Sequence, residues 1–149
     1  FTRQMSFRSD PIAWEEHQSW LATVLQTAQV VLMVIEWFTK AGWVAVSQVR
    51  IDEEGIVSIS LDPGYRGRGW GARILLKAIA YHRDIVHLPR LTAFIKPDNG
   101  ASRRIFRQVG FDCEGEDLID GRSALKFVYT YPLREDTHVS GEFVDVSHC

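Results

Sequence analysis

The stretch Asp62-Pro63-Gly64-Tyr65-Arg66-Gly67-Arg68-Gly69-Trp70-Gly71 constrains this chain more than any other. It lies between a β-branched run, Ile56–Leu61, and an apolar pattern of Ile74, Leu75, Ala78 and Ile79 at helical spacing. A strand must therefore lead into it and a helix must leave it. Glycines at 67, 69 and 71 let backbone N–H groups converge at a helix N-terminus. There the unpaired amides and the helix dipole favour an anion, most often phosphate. Arg66 and Arg68 add charge of the right sign. The competing reading is a tight turn that merely requires positive φ.

The rest of the chain supplies the elements around that turn. Asp10-Pro11 reads as a helix start, with Asp as cap and Pro tolerated in the first turn. Trp14, His17, Leu21 and Val24 then recur at helical spacing to about Leu25. Ala28–Trp37 is a dense β-branched and aliphatic strand, Thr39–Gly42 a turn, and Trp43–Asp52 a second strand with Gln48, Arg50 and Asp52 on one face. Asp52–Gly55 turns into the third strand, Ile56–Leu61. A helix over Gly71–His82 and a strand at Leu91–Ile95 follow, and that connection predicts a parallel pairing with Ile56–Leu61. Asn99 is placed to cap a short helix, Ala101–Val109, which Gly110 ends with Phe111 packing back. Strands at Phe111–Leu118 and Ser123–Tyr131 complete an α+β fold, a mixed and mostly antiparallel sheet with one parallel crossover.

A chain of 149 residues, 46% apolar and 24% charged, buries a core of its own. No repeat or linker divides it, so residues 1–131 read as one domain and 132–149, opened by Pro132, as a C-terminal tail. The longest apolar run, Val30–Ile35, falls far short of the ~20 residues a membrane-spanning helix needs. A formal net charge of −2 gives no general attraction to nucleic acid or to an acidic membrane. The two cysteines, Cys113 and Cys149, make neither a disulfide framework nor a metal-ligand set. No metal is expected, and a reducing, cytoplasmic setting is. The sequence starts at Phe1 with no initiator Met and no signal-like segment, as a processed chain or an excised domain does.

Three phosphate-binding schemes compete for the glycine turn. A P-loop needs Lys and Ser/Thr where Trp70 and Gly71 stand, and it fails. The dinucleotide fingerprint is formally met by Gly67, Gly69 and Ala72. It opens a series of strand–helix units, however, whereas here three antiparallel strands precede it and one crossover follows. Asp98, the nearest acid for a ribose, sits in a Pro-Asp-Asn turn. The third scheme is Arg/Gln-x-x-Gly-x-Gly/Ala after an antiparallel strand, here Arg66–Gly71. It resembles the pyrophosphate-binding motif of the GNAT acetyltransferase superfamily. A second signature agrees: Asn99-x-x-Ser102, then Ile105-Phe106, then Gly110-Phe111, at the spacing of the family's Asn-x-x-Ala/Ser…Leu-Tyr…Gly-Phe segment. The resemblance spans about Ile12–Tyr131.

The resemblance implies acetyl-CoA as cosubstrate and assigns residues to it. Amides around Arg66, Gly67, Arg68, Gly69, Trp70 and Gly71 would hold the pyrophosphate. Backbone groups of Ile59, Ser60 and Leu61 would meet the pantetheine arm, Asn99 would contact it near mid-length, and Ser102 to Phe106 would flank it. The strand before the loop and Leu91–Ile95 would splay apart around the cofactor. For Asn99 a plain helix cap is an equal reading and compatible with that contact. The segment Ser6–His17, with Trp20 and Gln48–Asp52, further resembles acetyltransferases of nucleotide-linked amino sugars, most of all those acting on a UDP-linked 4-amino-4,6-dideoxy sugar in pseudaminic acid synthesis. A nucleotide sugar is then the acceptor, with Arg8, Trp14, His17, Gln48 and Arg50 as its contacts. Arg8 or Arg50 would meet a diphosphate while an aromatic pair stacks on a base. On spacing alone, Trp14 and Trp20 are helix-face core and His17 a buried or half-buried histidine. A homodimer is one assembly open to such a domain.

Amine acetylation needs a neutral amine, a polarised thioester carbonyl and a proton for the leaving thiolate. The backbone N–H of Leu61, freed by a strand irregularity, is expected to hold the developing oxyanion, and His17 is a candidate catalytic side chain. Phe106 stands where many family members carry the Tyr that protonates the thiolate, and Phe94 where some carry a Glu base. General acid and base are therefore not legible. Asp52, Glu53 and Glu54 are hairpin-turn charges that could act through water. The family's usual first strand and helix are also absent ahead of Ser6–His17. These departures keep open a non-catalytic acyl-CoA-binding module, and, among enzymes, polyamine or protein N-terminal acceptors. In the tail, Thr137–Val146 either frays or adds a strand to a sheet edge of its own or a neighbouring chain.

Overall fold

A computed structural model describes residues 13–27 and 30–132. Arg8, Asp10-Pro11, Cys149 and the tail segment Thr137–Val146 lie outside the described residues. Helix α1 (Trp14–Gln26) starts after Ala13, which offers no side-chain cap, and Glu15 and Glu16 complement the dipole in its first turn. The core reading of its apolar face is corrected. Only Val24 is buried, Trp20 and Leu21 are half-buried, and Trp14 and His17 stand in solvent. The helix contacts the sheet through Trp20, whose ring lies 5.6 Å from the Arg50 guanidinium.

Strands β1 (Val31–Thr39), β2 (Gly42–Ile51) and β3 (Val57–Leu61) form an antiparallel meander in that order. The pleat gives β2 and β3 two faces. Val49, Ile51 and Val57 are buried on one, while Gln48, Arg50, Ser58 and Ser60 occupy the other. Helix α2 (Trp70–Ile85) covers the first face, packing Ile74, Leu75, Ala78 and Ile79 into a core with Val49, Ile51, Val57, Leu91 and Phe127. It runs three residues beyond His82 because that residue is itself buried, anchored to Tyr131.

The second sheet holds β4 (Arg90–Ile95), β5 (Asp112–Ile119) and β6 (Arg122–Thr130) in the order β4-β6-β5, all antiparallel. The two sheets meet at a single parallel bridge, Ile56 with Thr92, where the Thr92 N–H donates to the Gly55 carbonyl at 2.9 Å. The expected parallel pairing is thus reduced to one step, after which β3 and β4 part. Helix α3 (Gly100–Val109) follows β4. The Asn99 side chain accepts from the Ser102 N–H at 3.1 Å, and a left-handed Gly110 ends the helix. Phe111 N–H donates back to the Phe106 carbonyl at 3.0 Å while the two rings meet edge to face at 4.9 Å, a Schellman closure with its hydrophobic contact.

Candidate functional site

The turn from β3 into α2 brings a short 3₁₀ turn and two left-handed glycines to the start of a helix. Asp62 accepts the Gly64 N–H at 2.8 Å and so caps the short 3₁₀ turn Pro63–Tyr65. Gly67 and Gly69 then both adopt left-handed φ, 72° and 74°, and Gly69 is the N-cap of α2. A Cβ on either would meet nothing within 4 Å, so backbone conformation and not crowding demands glycine there. Gly71 answers to a different requirement: a Cβ would lie 2.7 Å from Ile105 Cδ1, and the missing side chain lets α3 close on α2. The first-turn amides have no partner within the helix and face the end of the turn. Arg66 Nε donates to the Leu61 carbonyl at 2.8 Å, which ties the turn to the strand, while Arg68 stays exposed. Trp70 contributes through its backbone, since its ring packs edge-on to Trp37 at 5.8 Å with the Arg73 guanidinium 5.1 Å away.

The edge of β3 leads into this turn. Asp62 N–H donates to Val46 O at 2.8 Å and Asp52 N–H to Ile56 O at 3.1 Å. Even-numbered residues of β3 are therefore the ones that bond to β2, and Ile59 and Leu61 turn their amides toward the gap left by β4. Ser60 is a correction. Its backbone is paired with Gln48, its carbonyl accepts the Ser47 hydroxyl at 2.8 Å, and it offers nothing to the gap. The Leu61 N–H is freed by this splay, not by an irregularity of β3. The bulge lies in β2, where Val46 has no partner between Ile35–Ser47 and Glu36–Ala45. A cleft of about 210 Å³ opens beside it, lined among others by Val34, Gln48, Ser60, Leu61 and Asp62.

The acceptor-side residues read from the sequence converge on the α1 face. Trp14, His17 and Trp20 stack in succession, with ring centroids 6.0 and 5.5 Å apart, and the Arg50 guanidinium sits 5.6 Å from the Trp20 ring. Arg50 is held by Asp52 at 3.3 Å, and its buried Nε finds no hydrogen-bond acceptor. Asp52 also accepts from the amides of Glu54 and Ile56, so it is a fully used turn residue. Gln48 lies one step toward the cleft. Two features escaped the sequence reading. Lys126 pairs with Glu114 at 2.9 Å on this same face, a placement that needs the strand register to be known; the only local signal is a lysine between Ala124 and Val128 on one side of β6. The second is His82. The Tyr131 hydroxyl donates to the Ile79 carbonyl at 3.2 Å and accepts from His82 Nδ1 at 2.9 Å, leaving His82 Nε2 buried without a partner. Burial lowers the His82 pKa, and burial together with Tyr129 pushes Tyr131 up to about 12 against the pull of Arg83. Both sit at the far end of α2, beside a groove of about 440 Å³, and away from the glycine turn.

Phe106 is 3% exposed and carries no proton to give. Asn99 is positioned with its carbonyl oxygen engaged by the cap, which leaves its NH₂ donors for a ligand. Among the described residues no three His, Cys, Asp or Glu side chains gather as a metal set, and no helix is long and apolar enough to cross a membrane.

Comparison with known proteins places this arrangement. A family model described as acetyltransferase (GNAT) domain matches residues 2–112. Over 66 residues, 44% of the chain, it is 36% identical to an N-acetyltransferase 9-like protein of Nematostella vectensis, of whose length it spans about a third (33%). In solved structures the fold resembles ribosomal-protein-S5-alanine acetyltransferase from Vibrio fischeri, with a TM-score of 0.64 and 22% identity over 78% of this chain and 70% of that one. It also resembles spermidine N-acetyltransferase from Vibrio cholerae in complex with CoA and spermine, with a TM-score of 0.65 and 16% identity over 80% and 76%. The motif at Arg66–Gly71 and the fold that presents it thus agree with the family match: this chain belongs to the GNAT acetyltransferase domain family.

Proposed function

We propose that the chain is an acetyl-CoA-dependent N-acetyltransferase whose acceptor is a primary amine, the 4-amino group of a UDP-linked amino-dideoxy sugar. The observation that carries it is the continuity of donors from the free edge of β3 into the cradle at Gly67 and Gly69. The fit to the cofactor is chemical. Amides at a helix start suit a pyrophosphate, and an unpaired strand edge suits the amides of a pantetheine arm. Bound acetyl-CoA supplies the thioester acyl group. Leu61 N–H, with Ile59 beside it, holds the carbonyl oxygen as charge develops, the Asn99 NH₂ orients the arm, and Phe106 with Ile105 keeps water from it. Arg50, Gln48, Trp14 and His17 line the approach of the acceptor on the α1 face. Arg8 belongs to the same group of contacts by sequence. A cytoplasmic site of action suits a chain whose described cysteine, Cys113, is an exposed free thiol, and a homodimer is the assembly that goes with this reading.

Phe106 also favours a second reading, a module that binds acyl-CoA without turning it over, because it lacks the ionisable group a departing thiolate would use. Release of free CoA separates the two. Acetyl-CoA turnover is measured against UDP-amino sugars, polyamines and peptides, with acetyl-CoA affinity of Gly69→Val followed by calorimetry. Turnover confined to the nucleotide sugars supports the proposal. Binding without release supports the module, and undiminished affinity in a folded Gly69→Val protein removes the cradle from the site.

A further inference from the structure

The strand register joins Arg50 to a residue far away in the sequence. Arg50 pairs with Ser58 across β2 and β3. The parallel bridge at Ile56 and Thr92 puts Ser58 and Phe94 one register step further along, on the same face but on opposite sides of the split. Phe94 in turn pairs with Lys126. Arg50, Ser58, Phe94 and Lys126 therefore form one row across both sheets, on the face that carries α1. Three inter-strand spacings separate the two cations, about 14 Å of backbone before the splay widens it. Two long side chains span that distance from either side. Each cation has a carboxylate on its own sheet, Asp52 for Arg50 at 3.3 Å and Glu114 for Lys126 at 2.9 Å. Both pairs are partly solvent-exposed, with the Lys126 side chain at 34%. Such pairs contribute little to stability and are readily exchanged for a better anion.

We propose that Lys126 is a specificity-determining residue that receives the diphosphate of the acceptor from the side of the split opposite Arg50. This rests on the nucleotide-sugar reading above. The nucleophilic amine would then be presented between them, over the parted strands where the acyl group lies. Lysine acts here as a compact point charge with three donors on a flexible stem, able to meet a diphosphate oxygen.

The test compares wild type, Lys126→Gln and Lys126→Arg by the rate of CoA release. The two acceptors are a UDP-linked 4-amino-4,6-dideoxy sugar and the methyl glycoside of the same amino sugar, which lacks the diphosphate. In Lys126→Gln the KM for the UDP-linked acceptor should rise about tenfold, the loss of one charge-assisted hydrogen bond. Its kcat, the KM for acetyl-CoA and the KM for the methyl glycoside should stay in place, and Lys126→Arg should recover most of the loss. An unchanged KM, or one that rises equally for both acceptors, overturns the proposal. If wild type turns over no UDP-linked sugar, the acceptor reading itself fails. Calorimetry with UDP then decides on Lys126 separately. Binding weakened about tenfold in Lys126→Gln keeps the anion site, whereas binding that is absent or equal in the two proteins removes it.

Discussion

Gly71 and Ile105 occupy one another's space: a Cβ on Gly71 would stand 2.7 Å from the Ile105 Cδ1. The first turn of α2 and the middle of α3 approach this closely only because position 71 has no side chain. Gly71→Val should overpack the contact and cost about 2 kcal/mol. Ile105→Ala in that background should return part of the loss, so the two changes will not add. Chemical denaturation of the single and double variants measures it; strict additivity would show that the contact is not the reason for the glycine.

The Asn99 oxygen caps α3; in the function proposed above, its NH₂ meets the cofactor. Asn99→Ser should keep the cap, and with it stability to within a few tenths of a kcal/mol. Acetyl-CoA affinity should nonetheless fall several-fold, as for one lost hydrogen bond. Asn99→Ala should lose both, with about 1 kcal/mol of stability gone. Thermal melts and calorimetry on the two variants separate these outcomes.

Phe106 contributes packing. Phe106→Leu should cost about 1–2 kcal/mol, from the edge-to-face contact with Phe111 and the volume removed. The height of the pH–rate profile should drop with it, but its shape should not change, because no ionisation is removed. A lost or displaced limb would assign Phe106 a part in controlling a titrating neighbour.

His82 makes stability depend on pH. Its folded pKa lies below the ordinary 6.5 because it is buried. Below about pH 6.5 the unfolded chain takes up a proton that the folded one refuses, so stability falls as pH drops through that value and levels off beneath the folded pKa. The slope from one such group is at most about 1.4 kcal/mol per pH unit. Melting curves taken from above pH 6.5 to below it should show this fall, and His82→Gln should flatten it. An equal slope in both proteins would place the dependence elsewhere.

Local chemistry determined much of this protein. Alternating glycines with a strand before and a helical pattern behind were enough for the strand–turn–helix unit, and Asn99, Gly110 and Phe111 delimited α3 to within a residue. Each of these is a relation among residues a few positions apart, where backbone conformation and capping act. The tertiary structure alone decided the rest. It turned His17 and Trp14 outward, took the backbone of Ser60 out of the gap, put the strand irregularity in β2 and reduced a parallel pairing to one bridge. It also placed Lys126 in a row with Arg50, although 75 other residues lie between them in the sequence. A period in the sequence shows which side of a strand a residue occupies. Which strand lies next to it, and in what register, depends on how helices and sheets from distant segments share one core.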